Sequence, residues 1–477
     1  MALITIKDFQ KGTGESPFLG YGEIRNIELD TQKGVARINM KTALKSGTTV
    51  TQLPLWIIGN RGTSGEYWAL GDAQAVYKSS DSGDTWSLVT GNDSGSGQGM
   101  IVWKQYLLVF RASTIDVYGK LGSSPSWTTS WQTIDSDLNW HPSLTGQDDI
   151  VYGGAGRYIF SIQEVSGQTF NPSNSATYTY TQQALDLPSD HKVRCLAELG
   201  SNLMIGTWVG SNIYDFKIAT IFPWDRVSDS FNLPIQMSEN GIQAMKTIGN
   251  LIYFFAGIEG KCFVTDGSSV RELFRIPQSI VDLAGGAFIE VYPGSVDVHR
   301  GKLVFGLKGA GNNSQMWSYD LETKALAVEY TISTANTMSV VGAINSVTRD
   351  TLLAGWRDGS SDEGIDKVVN SARYASYAAY IRTPYYLIGS KSKPQPVSEI
   401  EFKLANALAT GEGVRLKYRT DVTSSFTTIA TFDFSTNGAI LGGTHTVGVT
   451  VDEGIQFEIA LTTSSDGTPE LVEVEVR

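Results

Sequence analysis

The chain has 477 residues, a formal net charge of -12, 41% hydrophobic residues and 18% charged residues. That is enough apolar material for large cores in two or three domains, which excludes a chain disordered by composition. Lys and Arg are scattered, with no basic stripe of the kind a phosphate-gripping surface needs.

The 50 glycines and the plentiful Tyr, Phe, Trp, Thr and Val describe short strands joined by tight turns. The N-terminus, Met1 to Lys7, lacks a basic start followed by a long apolar core, so it does not read as a signal peptide. No apolar run reaches bilayer length. Between Gly22 and Lys41, Val35 to Met40 reads as a strand. It is expected to complete a sheet with residues near Leu352 to Tyr380.

From residue 51 onward a pattern recurs: an apolar strand, a Gly-rich turn, then a second strand with an aromatic residue. Tyr67-Trp68-Ala69-Leu70 leads to Val76-Tyr77, and Leu107 to Phe110 leads to Val117-Tyr118. Ile150 to Gly153 leads to Tyr158 to Phe160, and Leu203 to Gly206 leads to Ile213-Tyr214. Leu251 to Phe254 leads to Cys262 to Val264, Leu303 to Gly306 to Met316-Trp317, and Leu352 to Gly355 to Val368-Val369. The copies lie roughly 40–53 residues apart, the period of four-stranded propeller blades. A blade is apolar on both faces and must stack on neighbours to bury them. The expected fold is therefore all-β: a propeller of seven blades over residues 51–380, closed with help from residues 1–50. A pair of sandwiches or a solenoid would be the alternative.

Within the first repeat, Ser79-Ser80-Asp81-Ser82-Gly83-Asp84-Thr85-Trp86 fits the Asp-box pattern S-x-D-x-G-x-x-W. Asp81 and Ser79 can bond the turn's own backbone, Gly83 can take positive φ, and Trp86 can cover the hairpin. All four residues are thereby occupied in holding the turn, so their expected role is structural. Gly153 to Gly156 and Gly306 to Gly311 lie between strands and read as hairpin turns, since no helix start follows to cradle a phosphate. The polar stretch Thr169 to Ser189 reads as a surface or interaction loop. Asp358 to Gly364 is acidic but lacks the spacing of a calcium loop.

After Tyr380 the repeat stops. Lys391 to Pro396 reads as a loop because of its two prolines. Strict alternation follows in Ile400 to Leu404, Val414 to Tyr418, Ile455 to Ile459 and Val472 to Val476. Period two with one charged face predicts antiparallel sheet, so residues 381–477 are expected to form a β-sandwich. Cys195 and Cys262 match no zinc spacing and read as buried thiols, with a disulfide between them still open. His141, His191, His299 and His445 form no ligand pair. No metal, cofactor or catalytic residue is expected.

The Asp-box resembles that of sialidases, and Phe274-Arg275-Ile276-Pro277 is similar to the element carrying a substrate-binding arginine in that family. In sialidases that element precedes the first Asp-box, whereas here it follows it. Two further stretches, Tyr21 to Asp30 with Lys33 to Ala36, and Ile381 to Gly389, resemble propeller-containing virion proteins of tailed bacteriophages. The nearest likeness is to tail nozzle or tail-tube subunits. It implies a structural role in the virion: a ring of copies, a hexamer in many tails, contacting adaptor, fibre or spike proteins around the DNA-ejection channel. The acidic charge would let duplex DNA slide through without sequence-specific binding. The alternatives are a receptor- or glycan-binding module, with Arg275, Trp208 and Trp224 as candidate contacts, and a sialidase-like glycoside hydrolase with paired carboxylates near the ring axis.

Overall fold

The computed structural model describes residues 4–477 apart from 8, 10–11, 14–21, 29–33, 60–64, 92–94, 138–139, 214, 279–287, 312–313, 333–337, 349–350, 360–361 and 465–466. Met1, Tyr21, Asp30, Lys33 and Tyr214, all named above, lie outside the described residues.

Six four-stranded antiparallel meanders and a seventh of three strands follow one another from Pro54 to Arg373. Blade 1 runs from Pro54 to Leu88, blade 2 from Gly97 to Thr133, blade 3 from Ser143 to Asp186 and blade 4 from His191 to Met237. Blade 5 runs from Ile242 to Arg275 and blade 6 from Val296 to Tyr330. Blade 7 takes three strands from Met338 to Arg373 and its outermost strand from Met40–Leu44.

Alternation along each strand explains the ring. In blade 2, Leu107 and Val109 face Trp68 and Leu70 of blade 1. Their neighbours Leu108 and Phe110 face Phe160 and Ile162 of blade 3. The same division recurs around the circle, up to the core that joins Leu353 and Ile365 of blade 7 to Tyr67, Tyr77 and Trp86 of blade 1. Each blade thus contributes one face to each of two shared cores, which accounts for repeats that are apolar on both sides.

The recurring sequence pattern coincides with the second and third strands of the blades, with one exception. Ile213 is a buried turn residue, and the third strand of blade 4 is Ala219–Trp224. The first Gly-rich stretch also differs from expectation, whereas Leu307 to Gly311 connects two paired strands. Gly153 and Gly154 lie inside the strand Val151–Ala155. A Cβ on Gly153 would sit 2.1 Å from the Phe160 ring, and one on Gly154 would sit 2.4 Å from Val193. They are small so that neighbours can approach closely; the turn belongs to Gly156, at φ +57°. Much of the polar stretch 169–189 is the outer strand of blade 3, Tyr178–Asp186, and Phe170 is anchored among Trp103, Trp131 and Tyr178.

The N-terminal segment serves both parts of the molecule. The closing strand is Met40–Leu44, paired with Asp366 to Val368. Part of the expected strand lies elsewhere: Arg37–Ile38 pairs with Ile27–Glu28. Asn39 separates the two because its amide turns inward to the Glu329 side chain and carbonyl.

The sandwich has two sheets. One orders Ile4–Ile6, Leu471–Val476, Gln395–Leu404 and Gly442–Val451. The other orders Glu23–Arg25, Ala379–Arg382, Gly454–Thr462, Gly413–Arg419 and Thr427–Asp433. Ile400, Phe402, Leu416, Phe457, Ile459 and Val474 fill the space between them. Pro396 belongs to a strand after all, opposite Thr450. It is tolerated because the neighbour on the other side pairs only from Ile400. The second sheet continues into the ring through a parallel pairing of Arg25 with Val328, so blade 6 and this sheet form one ten-stranded sheet.

Candidate functional site

In an antiparallel meander, the start of the first strand and the end of the second share one face of the ring. Several such positions converge near the axis to line a cavity of 310 Å3. Gln98 opens the innermost strand of blade 2, and Arg194 lies early in that of blade 4. Asp72, Asn212 and Lys308 follow second strands, while Trp140, Glu290 and Tyr292 precede innermost strands.

An aromatic and aliphatic cluster borders the cavity. Trp140 lies 5.0 Å from Tyr292 and 6.5 Å from Trp56, ring centre to ring centre. Leu53, Leu55 and Val340 complete this cluster. The Trp56 indole N–H donates to the Gln98 carbonyl at 3.2 Å.

Charge in the cavity is arranged around Glu290. Arg194 Nη2 donates to Glu290 Oε1 at 2.5 Å and Lys308 Nζ to Glu290 Oε2 at 2.9 Å. The Arg194 guanidinium also lies 5.1 Å over the Trp140 ring and donates through Nε to the Gln243 carbonyl. Burial pushes the Glu290 pKa up, but Arg194 and Lys308 outweigh it and hold the carboxyl below its ordinary range. For Lys308, burial pulls downward, and Glu290 with Tyr292 raises the ammonium above its usual value. Burial and the Glu290 charge raise the Tyr292 phenol. Glu290 and Tyr292 stand two residues apart, and both Glu290 carboxylate oxygens are engaged by Arg194 and Lys308. The arrangement is suited to hydrogen-bonding a polar ligand rather than to moving a proton between the two groups.

The residues named from sequence are dispersed. The Asp-box sits at the blade 1 to blade 7 seam. Ser79 Oγ donates to Asp81 Oδ1 at 2.8 Å and accepts from Gly83 N at 2.9 Å. Asp81 accepts from Thr85 N at 2.9 Å, Thr85 Oγ1 at 2.6 Å and Asp84 N at 3.1 Å. Burial raises the Asp81 pKa, and the hydrogen bonds led by Thr85 together outweigh it and bring it down to about 2. Gly83 has φ +83°, and its Cα side faces Leu353 of blade 7 so closely that a Cβ would lie 2.7 Å away. Asp84 bonds Lys45 and Lys367, both at 2.8 Å. Trp86 is buried in the seam core.

Arg275 ends the outer strand of blade 5, away from the axis, and is 3.4 Å from Glu259. Trp224 is 2% exposed, and its N–H donates to Ser228 O at 2.7 Å. It presents no ring face to a sugar. Trp208 does line the axial cavity, although it is only 4% exposed, with Lys192 5.2 Å over its ring. Cys195 and Cys262 are buried free thiols.

The sequence reading missed Arg194, Glu290, Tyr292 and Lys308. A signal was present: Gln98, Arg194 and Gln243 each stand eight or nine residues before a repeat strand. Among the described residues, no cluster of three or more His, Cys, Asp or Glu could hold a metal ion, and no helix is long and apolar enough to cross a membrane.

No protein-family model matches the chain, and no curated protein matches it. Among solved structures it is similar to YCF48 from Cyanidioschyzon merolae, with 11% identity, 69% of this chain and 98% of that one covered, and a TM-score of 0.45. It is also similar to the RRP9 WD40 repeats, at 12% identity, 69% and 97% coverage and a TM-score of 0.44. A third is the Cps50 (Swd1) β-propeller domain from Myceliophteria thermophila, at 8% identity, 66% and 97% coverage and a TM-score of 0.43. These likenesses carry no functional information.

Proposed function

We propose that the protein is a structural subunit of a bacteriophage tail, of nozzle or tail-tube type, which holds neighbouring proteins and transforms no substrate. The observation that carries this reading is the splice between ring and sandwich. The two stretches that resemble phage virion proteins lie some 350 residues apart in sequence. In the fold they are adjacent, with Glu23 opposite Arg382 and Ile24 opposite Ile381. A motif pair that fastens two domains together suits a subunit that transmits force between neighbours. The engagement of both Glu290 carboxylate oxygens by Arg194 and Lys308 supports a non-catalytic role, as does the place of Arg275 on the outer rim.

The test is electron microscopy of the purified protein and of particles from its source. A cyclic ring, or density for the protein at the tail, is expected. A stable monomer absent from any particle would overturn the assignment.

One observation favours a second reading, a glycan-binding propeller: the axial cavity joins Trp208 to Gln98, Asn212, Asp72 and Lys308, an aromatic wall with polar partners. A glycan array on the pure protein distinguishes it, with binding lost on Trp208→Ala.

A further inference from the structure

A second cavity, of 530 Å3, lies on the sandwich, remote in sequence from the axial residues. Its floor is the outer face of the sheet that joins the ring. Alternation sends Val414 and Leu416 into the sandwich core and leaves Arg415, Lys417 and Arg419 on the opposite face. Lys417 and Arg419 line the cavity with Tyr377, Tyr380, Arg382 and Glu458, residues Thr423 to Phe426 form the wall, and Arg415 lies at the edge, stacked on Tyr377.

Positive charge here exceeds its local partners. Arg382 bonds Glu23 and Glu458, Lys417 bonds Glu458 at 2.7 Å, and Arg25 bonds Glu23 at 2.9 Å. Arg415 and Arg419 make no ion pair among the described residues. Arg415 lies 3.7 Å over the Tyr377 ring. Arg419 donates to Gln456 Oε1 at 2.7 Å and Ser424 O at 3.2 Å, and both it and Arg382 stack on Phe426, at 4.6 and 5.1 Å. The nearby Asp421 is occupied by the Thr423 N–H and hydroxyl. Burial and the adjacent Arg382 charge both disfavour the charged form of Arg419, which an incoming anion would relieve.

Spacing selects the anion. Arg415, Lys417 and Arg419 repeat every second residue along one strand, about 6.6–7 Å apart. An extended polypeptide presents its own side chains on one face at the same interval. The row spans about 13 Å, which suits several carboxylates in line better than one compact ion. Val422, 53% exposed on the wall loop, offers an apolar contact beside the row. The chain as a whole carries -12, so nonspecific attraction would not bring an acidic segment here. We propose that this groove docks an extended acidic segment of a partner polypeptide, with acidic residues at alternate positions. The inference stands on the groove alone and does not depend on the tail reading.

The probe is a fluorescein-labelled peptide with glutamate at every second position and threonine between, titrated against the full chain and followed by anisotropy. Saturable binding that weakens with salt is expected, with at least tenfold loss in Arg419→Gln and a weaker complex for a peptide whose glutamates are contiguous. Circular dichroism checks the variant's fold. If Arg419→Gln fails to fold, Arg415→Gln is read the same way. Absence of saturable binding at low salt would overturn the proposal. So would equal affinity for wild type and variant, equal affinity for the two peptides, or complete displacement by equimolar inorganic phosphate.

Discussion

Asp81 shows how little of a conspicuous motif need be chemistry. Its carboxylate takes three hydrogen bonds from two following residues, and Asp84 beside it ties the turn to two lysines of the ring closure. The folded state holds Asp81 at about 2, against an ordinary 3.8. The unfolded chain therefore binds the proton first. The stabilisation is complete above about pH 4 and drains away as pH falls towards about 2. The difference in melting temperature between wild type and Asp81→Asn is expected to be largest near neutrality and to shrink across that window. A difference unchanged by acid would show that the charge is irrelevant to the turn. Two histidines work in the same direction. Burial lowers the pKa of His141 and of His191, so protonation of the unfolded chain below its ordinary value of 6.5 costs further stability.

At the scale of elements, two short segments hold distant parts of the chain together. Met40–Leu44 closes blade 7, with Met40 and Leu44 against the core shared by blades 6 and 7, and Thr42 Oγ1 donates to Thr331 O at 2.7 Å. Thr42→Pro removes that donor and imposes a φ unsuited to an extended strand. It is expected to lower stability by more than the about 1 kcal/mol of a typical substitution, measured by urea unfolding. Asn26 is the rivet of the splice. At φ +55° its N–H donates to Val328 O, its Oδ1 accepts from Thr331, and its Nδ2 donates to Ala378 O. Asn26→Ala removes the side-chain partners of the Thr331 N–H and hydroxyl and of the Ala378 carbonyl, all part-buried, and strains the left-handed backbone. A loss of about 3 kcal/mol is expected in the same assay. A loss within about 0.5 kcal/mol would mean that ring and sandwich are held by their packing alone.

For the whole molecule, the ten-stranded sheet makes ring and sandwich one cooperative object. Ala325 and Ala327 of blade 6 belong to the sandwich core, and the N-terminal chain visits both parts. Calorimetry is expected to give a single unfolding transition; two resolved peaks would show that the domains melt independently.

Local chemistry was enough to reveal the middle strands of most blades and four strands of the sandwich. Period-two alternation marked the sandwich strands, and repeats apolar on both sides marked the middle of nearly every blade, because a strand's two faces are written in adjacent residues. The Asp-box was equally legible, since its hydrogen bonds run between residues at most four apart. Convergence of residues distant in sequence was settled only by the fold. Arg194 meets Glu290 across 96 residues, and Glu23 meets Arg382 across 359. Each is an ordinary charged residue until ring closure brings it to its partner. The same holds for Gly153, whose size is dictated by Phe160 across a strand pair, and for Trp224, whose burial depends on the neighbouring blade. Sequence determined which faces must be covered; tertiary structure decided what covers them, because packing and ion pairing act through space rather than along the chain.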